Sequence, residues 1–245
     1  MDKTIVDELR QAANHGIAAL KRRQTAEASQ HFTKALDRAE DLQDPRTRRD
    51  ELSALATLFE QYSFPDLSLT AAEETVDLDR TLGLDDLMAQ DLLTVGNAHL
   101  NMENTAKAEA AYREAMAIFV AQNDFANAAS ATTNVAGIVA NRGEMAPAID
   151  LLEKSLGYLA KEPFDATEIQ TRFALLQTME IEQRDIDRAI DNARQLCARF
   201  WDAMPEVRRD AARDFIGKAV DRYLRAHPDV DAAAWKAANF PALYA

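Results

Sequence analysis

Leu92-Leu93-Thr94-Val95-Gly96-Asn97-Ala98-His99-Leu100, followed after a short polar break by Ala106-Lys107-Ala108-Glu109-Ala110-Ala111-Tyr112-Arg113-Glu114-Ala115, decides the fold. Ala108, Tyr112 and Ala115 are spaced by four and three, so one helix carries them on a single face. Gly96 stands twelve residues before Ala108. A small residue on each of two adjoining helices lets their axes approach closely. The larger residue one turn on then fills the groove between them. The break at Glu103-Asn104-Thr105 joins the two stretches as an antiparallel helix pair.

The same unit recurs along the chain. Small residues equivalent to Ala108 stand at Ala28, Ser68, Ala148 and Ala189, so successive spacings are 40, 40, 40 and 41. Twelve positions earlier stand Gly16, Ala56, Gly96, Ala136 and Gln177. Four positions later stand Phe32, Ala72, Tyr112, Leu152 and Ala193, and three further on Ala35, Thr75, Ala115, Ser155 and Leu196. Breaks within units fall at Arg23-Gln24-Thr25, Tyr62-Ser63-Phe64-Pro65, Glu103-Asn104-Thr105, Arg142-Gly143-Glu144 and Arg184-Asp185. Breaks between units fall near Asp44-Pro45, Gly83-Leu84-Asp85, Asn123-Asp124 and Pro163-Phe164-Asp165. Thr, Ser and Asp at these starts are expected to cap the helices, and Pro65 suits a first turn. The spacing predicts ten helices of about 16–20 residues in five units, 2–44, 45–84, 85–123, 124–163 and 164–204. After Pro205 a capping helix is expected over 206–226, with Val207, Ala211, Phe215, Ala219 and Tyr223 apolar and five arginines from Arg208 to Arg225 on its polar face. An apolar tail follows from Trp235 to Tyr244. It is expected to fold back on the cap or to join a second copy of the chain.

This pattern resembles the tetratricopeptide repeat, over roughly residues 9–204. The stretches around Gly96 and Ala108 carry the resemblance, together with Asn134-Val135-Ala136-Gly137-Ile138-Val139 and Gly143-Glu144-Met145-Ala146-Pro147-Ala148-Ile149. The period of about 40 exceeds the usual 34 residues, as in the longer-repeat variety. The aromatic usual near the end of a first helix is kept at Phe59 and replaced by Ala19, His99 and Val139. The resemblance implies an all-α fold, a right-handed superhelical solenoid of five antiparallel helix pairs with a C-terminal cap. It further implies that peptides or partner segments bind along the first helices.

Composition agrees. The 245 residues include 47 alanines but only 7 Gly and 7 Pro, which leaves little material for strands and long loops. The net charge of −13 is spread as −5 over residues 1–80, −7 over 81–165 and −1 over 166–245. That field repels a nucleic acid duplex and an anionic membrane, so neither is an expected partner. The N-terminus is acidic where a secretory leader is basic and then apolar, and no apolar run spans a bilayer, so a cytoplasmic location is expected.

Catalytic chemistry is not written in the sequence. Gly-Lys-Ser/Thr does not occur, His15, His31, His99 and His227 form no metal-ligand spacing, and Cys197 is alone. No enzyme activity, cofactor or metal is expected, and Cys197 reads as a buried thiol.

The helical period instead marks residues for the binding face. These are Asn14, Ile17 and Lys21; Thr57, Glu60 and Gln61; Thr94, Asn97 and Asn101; Thr133, Asn134, Gly137 and Asn141; Thr178 and Glu182. Asn97, Asn101, Asn134 and Asn141 form an expected polar patch, with Thr94, Thr133 and Gly137 beside them. An asparagine amide can serve a peptide N–H and C=O at once, and Gly137 permits close approach. Glu60 opposes the solitary Lys21, which disfavours an acidic tail and suits a neutral or basic peptide. The expected function is a non-enzymatic scaffold or adaptor. The alternatives are a peptide-responsive regulator and a secretion or assembly chaperone.

Overall fold

A computed structural model describes residues 2–183 and 185–244. All regular structure among these residues is helical. The chain divides into two compact units, Met1–Gln122 and Asn123–Ala245.

The first unit holds α1 (Asp2–Lys21), α2 (Thr25–Glu40), α3 (Pro45–Gln61), α4 (Pro65–Leu82), α5 (Asp85–Asn101) and α6 (Thr105–Gln122). Successive helices pack as pairs, α1 on α2, α3 on α4 and α5 on α6. Every residue of the three repeating stripes on the second helices is buried, including Ala28, Ser68 and Ala108 at the closest approach. Gly16 and Gly96 show why the facing position stays small. A Cβ at Gly16 would stand 2.3 Å from the Phe32 ring, and one at Gly96 would stand 2.5 Å from the Tyr112 ring. Each ring therefore lies on bare backbone of the preceding helix.

The turn within each pair repeats the same backbone. Arg23, Ser63, Glu103, Gly143 and Gln183 all adopt positive φ, and they are spaced by 40 residues. Only Gly143 is the residue type that takes this conformation freely. Its recurrence on Arg, Ser, Glu and Gln shows helix pairing dictating the turn.

The second unit holds α7 (Phe125–Asn141), α8 (Met145–Leu159), α9 (Asp165–Glu182) and α10 (Ile186–Phe200). A short 3₁₀ turn, Trp201–Ala203, leads to α11 (Glu206–Ala226), α12 (Ala232–Asn239) and α13 (Pro241–Tyr244). α11 packs on α9 and α10. Leu196, Phe200, Ile216, Val220 and Phe240 share its buried core. The tail folds back into this core. Phe240 is fully buried, and Trp235 stacks on Tyr223 with ring centroids 4.5 Å apart.

Several local expectations are corrected. Gln177 does not occupy the small-residue position of its unit: it is exposed, and Leu176 is buried instead. Gln183 keeps the 40-residue register from Gly143, so the extra residue of the last spacing enters after Gln183. Arg184, part of the break expected there, lies outside the described residues. The register shift also buries Thr178, whose hydroxyl donates to the Ala174 carbonyl at 2.7 Å. On α11 the inner face runs through Ala212, Ile216, Ala219 and Val220, while Val207 is 84% exposed. Side-chain capping is confined to Asp44 and Asp124 among the expected unit starts, accepting from the backbone N–H of Thr47 and Asn127. Thr25 and Thr105 are instead the first residues of α2 and α6.

Candidate binding face of the first helices

In the first unit, polar residues of α1, α3 and α5 reach across to the next first helix. Arg10 donates to Glu51 through Nε at 3.1 Å, and Ser53 donates to Asp91 at 2.7 Å. Asn97 Nδ2 donates to Glu60 at 2.7 Å. Asn97 Oδ1 accepts from the Tyr112 hydroxyl at 2.6 Å, so one amide ties α3, α5 and α6. Burial, and next the charge of Glu60, raise the Tyr112 pKa and keep that hydroxyl a donor. Thr94 is buried beneath this row, whereas Asn101 ends α5 in an exposed position.

The second unit uses hydroxyls in the same way. Ser130 meets Thr167 at 2.9 Å, and Thr133 meets Thr171 at 2.8 Å and Ser155 at 2.9 Å. Thr133 therefore lies inside the packing. Asn134 is half-buried, Gly137 is exposed with open space where a Cβ would stand, and Asn141 is the exposed last residue of α7. At the C-terminal end Arg222 of α11 turns inward and donates to Glu180 of α9 at 2.6 Å, leaving the polar face expected for it. These lateral partners are 37 to 42 residues apart in sequence, one repeat on. That spacing is the signal by which they could have been found.

An open cleft of about 310 Å³ separates α1 and α3. Its apolar lining comes from Leu9, Ala13, Ile17, Ala54, Leu55 and Leu58, and Asn14 and the Arg10–Glu51 pair stand at its edge. Asn14 and Ile17 were expected on this face, whereas Ala54 and Leu58 were not.

The one thiol is embedded in packing, whereas His15 is exposed and His31 half-buried. Cys197 is buried, and burial pushes its thiol up to about 12. His15 and His31 pack edge to face with centroids 5.3 Å apart. Among the described residues no group of three or more His, Cys, Asp or Glu could hold a metal ion, and no helix is long and apolar enough to cross a membrane.

The geometry defines an all-α solenoid of the tetratricopeptide-like repeat class. Solved structures carry the same fold. RapI aligns with a TM-score of 0.71 at 14% identity, covering 94% of this chain and 64% of RapI. Aspartyl phosphate phosphatase F from Bacillus subtilis aligns at 0.71 and 13% identity, covering 95% of this chain and 66% of its own. The TPR-like repeats of a Podosopora anserina kinesin light chain align at 0.60 and 15% identity, covering 80% and 95%. The chain thus spans about two thirds of RapI and of phosphatase F. No protein-family model and no curated protein matches it in sequence.

Proposed function

We propose that the chain is a non-enzymatic interaction module, a scaffold or adaptor that holds a peptide or partner segment against its first helices. The observation that carries this reading is the open apolar cleft between α1 and α3 with polar groups at its edge. A bound segment needs apolar room for its side chains and paired donors and acceptors for its backbone. Asn14 and Asn101 supply such groups in the first unit, above Thr94 and beside Asn97, whose amide is held by Glu60 and Tyr112. Asn134 and Asn141 supply them in the second, above Thr133, and the open space at Gly137 permits close approach. The net charge of −13 favours a neutral or basic occupant.

Peptides that co-purify with the protein, identified by mass spectrometry and resynthesised, are titrated into wild type and two variants. Leu58→Glu places a charge in the cleft, and Asn101→Ala with Asn141→Ala removes exposed amides. A tenfold or greater loss of affinity, with unchanged far-ultraviolet circular dichroism, is expected for both. Equal affinity in Leu58→Glu rejects the cleft, and equal affinity in the asparagine variant rejects the amides.

A second reading, a peptide-responsive regulator, draws on one neighbour. A Rap protein of the same fold, at TM-score 0.54, is solved in complex with Competence and Sporulation Factor. A change of helix protection in hydrogen exchange far from the bound peptide separates regulator from adaptor.

A further inference from the structure

His15 of α1 and His31 of α2 are sixteen residues apart in sequence, and no ligand spacing links them. The turn at Arg23 pairs the two helices and sets the rings against each other. Their centroids are 5.3 Å apart and their planes are inclined by 64°. Both rings border an open cleft of about 350 Å³. His15 is exposed and the His31 side chain is 31% exposed, so solvent reaches both. Among the described residues neither ring makes a hydrogen bond.

The ring separation has a chemical meaning. Imidazole nitrogens bind a tetrahedral zinc ion at about 2.0–2.1 Å, which sets the centroids of two coordinating rings about 5 Å apart. His15 and His31 stand at that separation. The pair meets edge to face, but χ2 of a histidine is a broad torsion. Turning His15 about χ2 brings a ring nitrogen to an ion beside His31 without moving either helix.

Glu27 adds a second observation. It stands one turn before His31 on α2, and its Oε1 lies 3.9 Å from His31 Nε2. Metal-bound imidazoles give their other N–H to such a carboxylate, which fixes the tautomer and raises the basicity of the coordinating nitrogen. Here that nitrogen is His31 Nδ1. Glu27 is shared with Arg22 at 3.1 Å. Arg38 is held by Glu8 at 3.3 Å and by Asp41 at 2.8 Å. Lys34 is the one cation lining the cleft without an ion pair among the described residues, and its charge opposes a bound ion.

We infer that His15 and His31 form a two-histidine site for a divalent transition-metal ion of the zinc class, with Glu27 behind His31 and the remaining coordination positions open to solvent. Imidazole ligands select such an ion over magnesium, which takes oxygen ligands.

Zinc and magnesium chlorides are titrated into the full chain by calorimetry, with the histidine ring nitrogens followed by NMR. One zinc ion per chain is expected, with the His15 and His31 resonances shifting together, and no magnesium. His31→Ala is expected to lower zinc affinity at least tenfold. His15→Phe keeps a ring but no nitrogen and is expected to do the same, with unchanged far-ultraviolet circular dichroism. Glu27→Gln is expected to weaken binding about tenfold, Lys34→Gln to tighten it, and His227→Ala to bind as wild type does. No zinc binding, a shift confined to one of the two rings, magnesium binding as tight as zinc, or undiminished affinity in His15→Phe overturns the proposal.

Discussion

The hydroxyl of Tyr112 donates to the amide oxygen of Asn97 at 2.6 Å. The other end of that amide donates to Glu60, so Asn97 is held from both sides by neighbouring helices. This coupling separates structural from recognition asparagines on the same helix. Asn97 is committed within the fold, whereas Asn101, one turn on, is exposed.

Asn97→Ala is therefore expected to act on stability. It strands the buried Tyr112 hydroxyl and removes a partner of Glu60, at a cost of about 1–3 kcal/mol. Adding Tyr112→Phe removes the stranded hydroxyl and should recover part of the loss. Urea unfolding of the two single variants and the double variant measures the coupling. Additive losses would show that the amide and the hydroxyl do not act together.

Glycine substitutions are expected to have opposite signs at two helical positions. Gly96→Ala places a Cβ 2.5 Å from the Tyr112 ring, which the ring cannot leave without disturbing its hydrogen bond. A loss of about 1–3 kcal/mol follows from overpacking. Gly137→Ala meets nothing within 4 Å and gains helix propensity, about 0.5–1 kcal/mol. Thermal melts of both variants decide the matter, and a stabilised Gly96→Ala would contradict the packing described.

The repeat was legible because its period is written in small residues that the fold requires. Gly16, Ala56, Gly96 and Ala136 are each buried against a second helix. The fifth unit departs from the period by one residue because the insertion after Gln183 puts Ala189 out of register with its own first helix, where Leu176 rather than Gln177 is buried. The first-helix face was less legible for a different reason. Helical period gives the direction of a side chain, not the reach of its neighbour. The period assigns Thr133 and Asn97 to the binding face, but in the structure residues one repeat away, Thr171 and Glu60, take up their polar groups. The α1–α3 cleft was legible only in part, because on α3 the helical period marks Thr57, Glu60 and Gln61 and passes over Ala54 and Leu58, which line it.

The intra-pair turns offer a route to stabilisation. Glu103 sits at φ 62, a region that costs an ordinary L residue about 1–2 kcal/mol. Glu103→Gly relieves that strain but adds freedom to the unfolded chain, worth about 0.4–1 kcal/mol. The net expectation is a gain of about 0.5–1 kcal/mol, read as a higher urea midpoint at unchanged slope. A lower midpoint would show that the Glu103 side chain contributes more than its backbone costs.

The last expectation concerns pH. Arg49 faces two buried carboxylates, donating from Nε to Asp79 at 2.7 Å and from Nη2 to Asp91, which also accepts from Ser53 at 2.7 Å. The exposed Asp50 is the remaining acid near this guanidinium. Burial pushes Asp91 up to about 6; Ser53 and Arg49 pull the other way, and Asp79 adds to the rise. In the unfolded chain the same carboxyl titrates near 4. Between these values the folded state holds a proton that the unfolded state has released. The contribution of Asp91 is thus fully present below pH of about 4 and is lost as pH rises through about 6. Asp91→Asn keeps the shape and the acceptor for Ser53 but cannot ionise. Relative to that variant, wild type should lose about 1–2 kcal/mol between pH 4.5 and pH 7. Differencing against the variant cancels the other carboxylates, whose own titrations would otherwise mask the sign. A wild-type minus variant difference that stays flat across this range would mean that Arg49 keeps Asp91 ionised throughout, with desolvation the weaker effect.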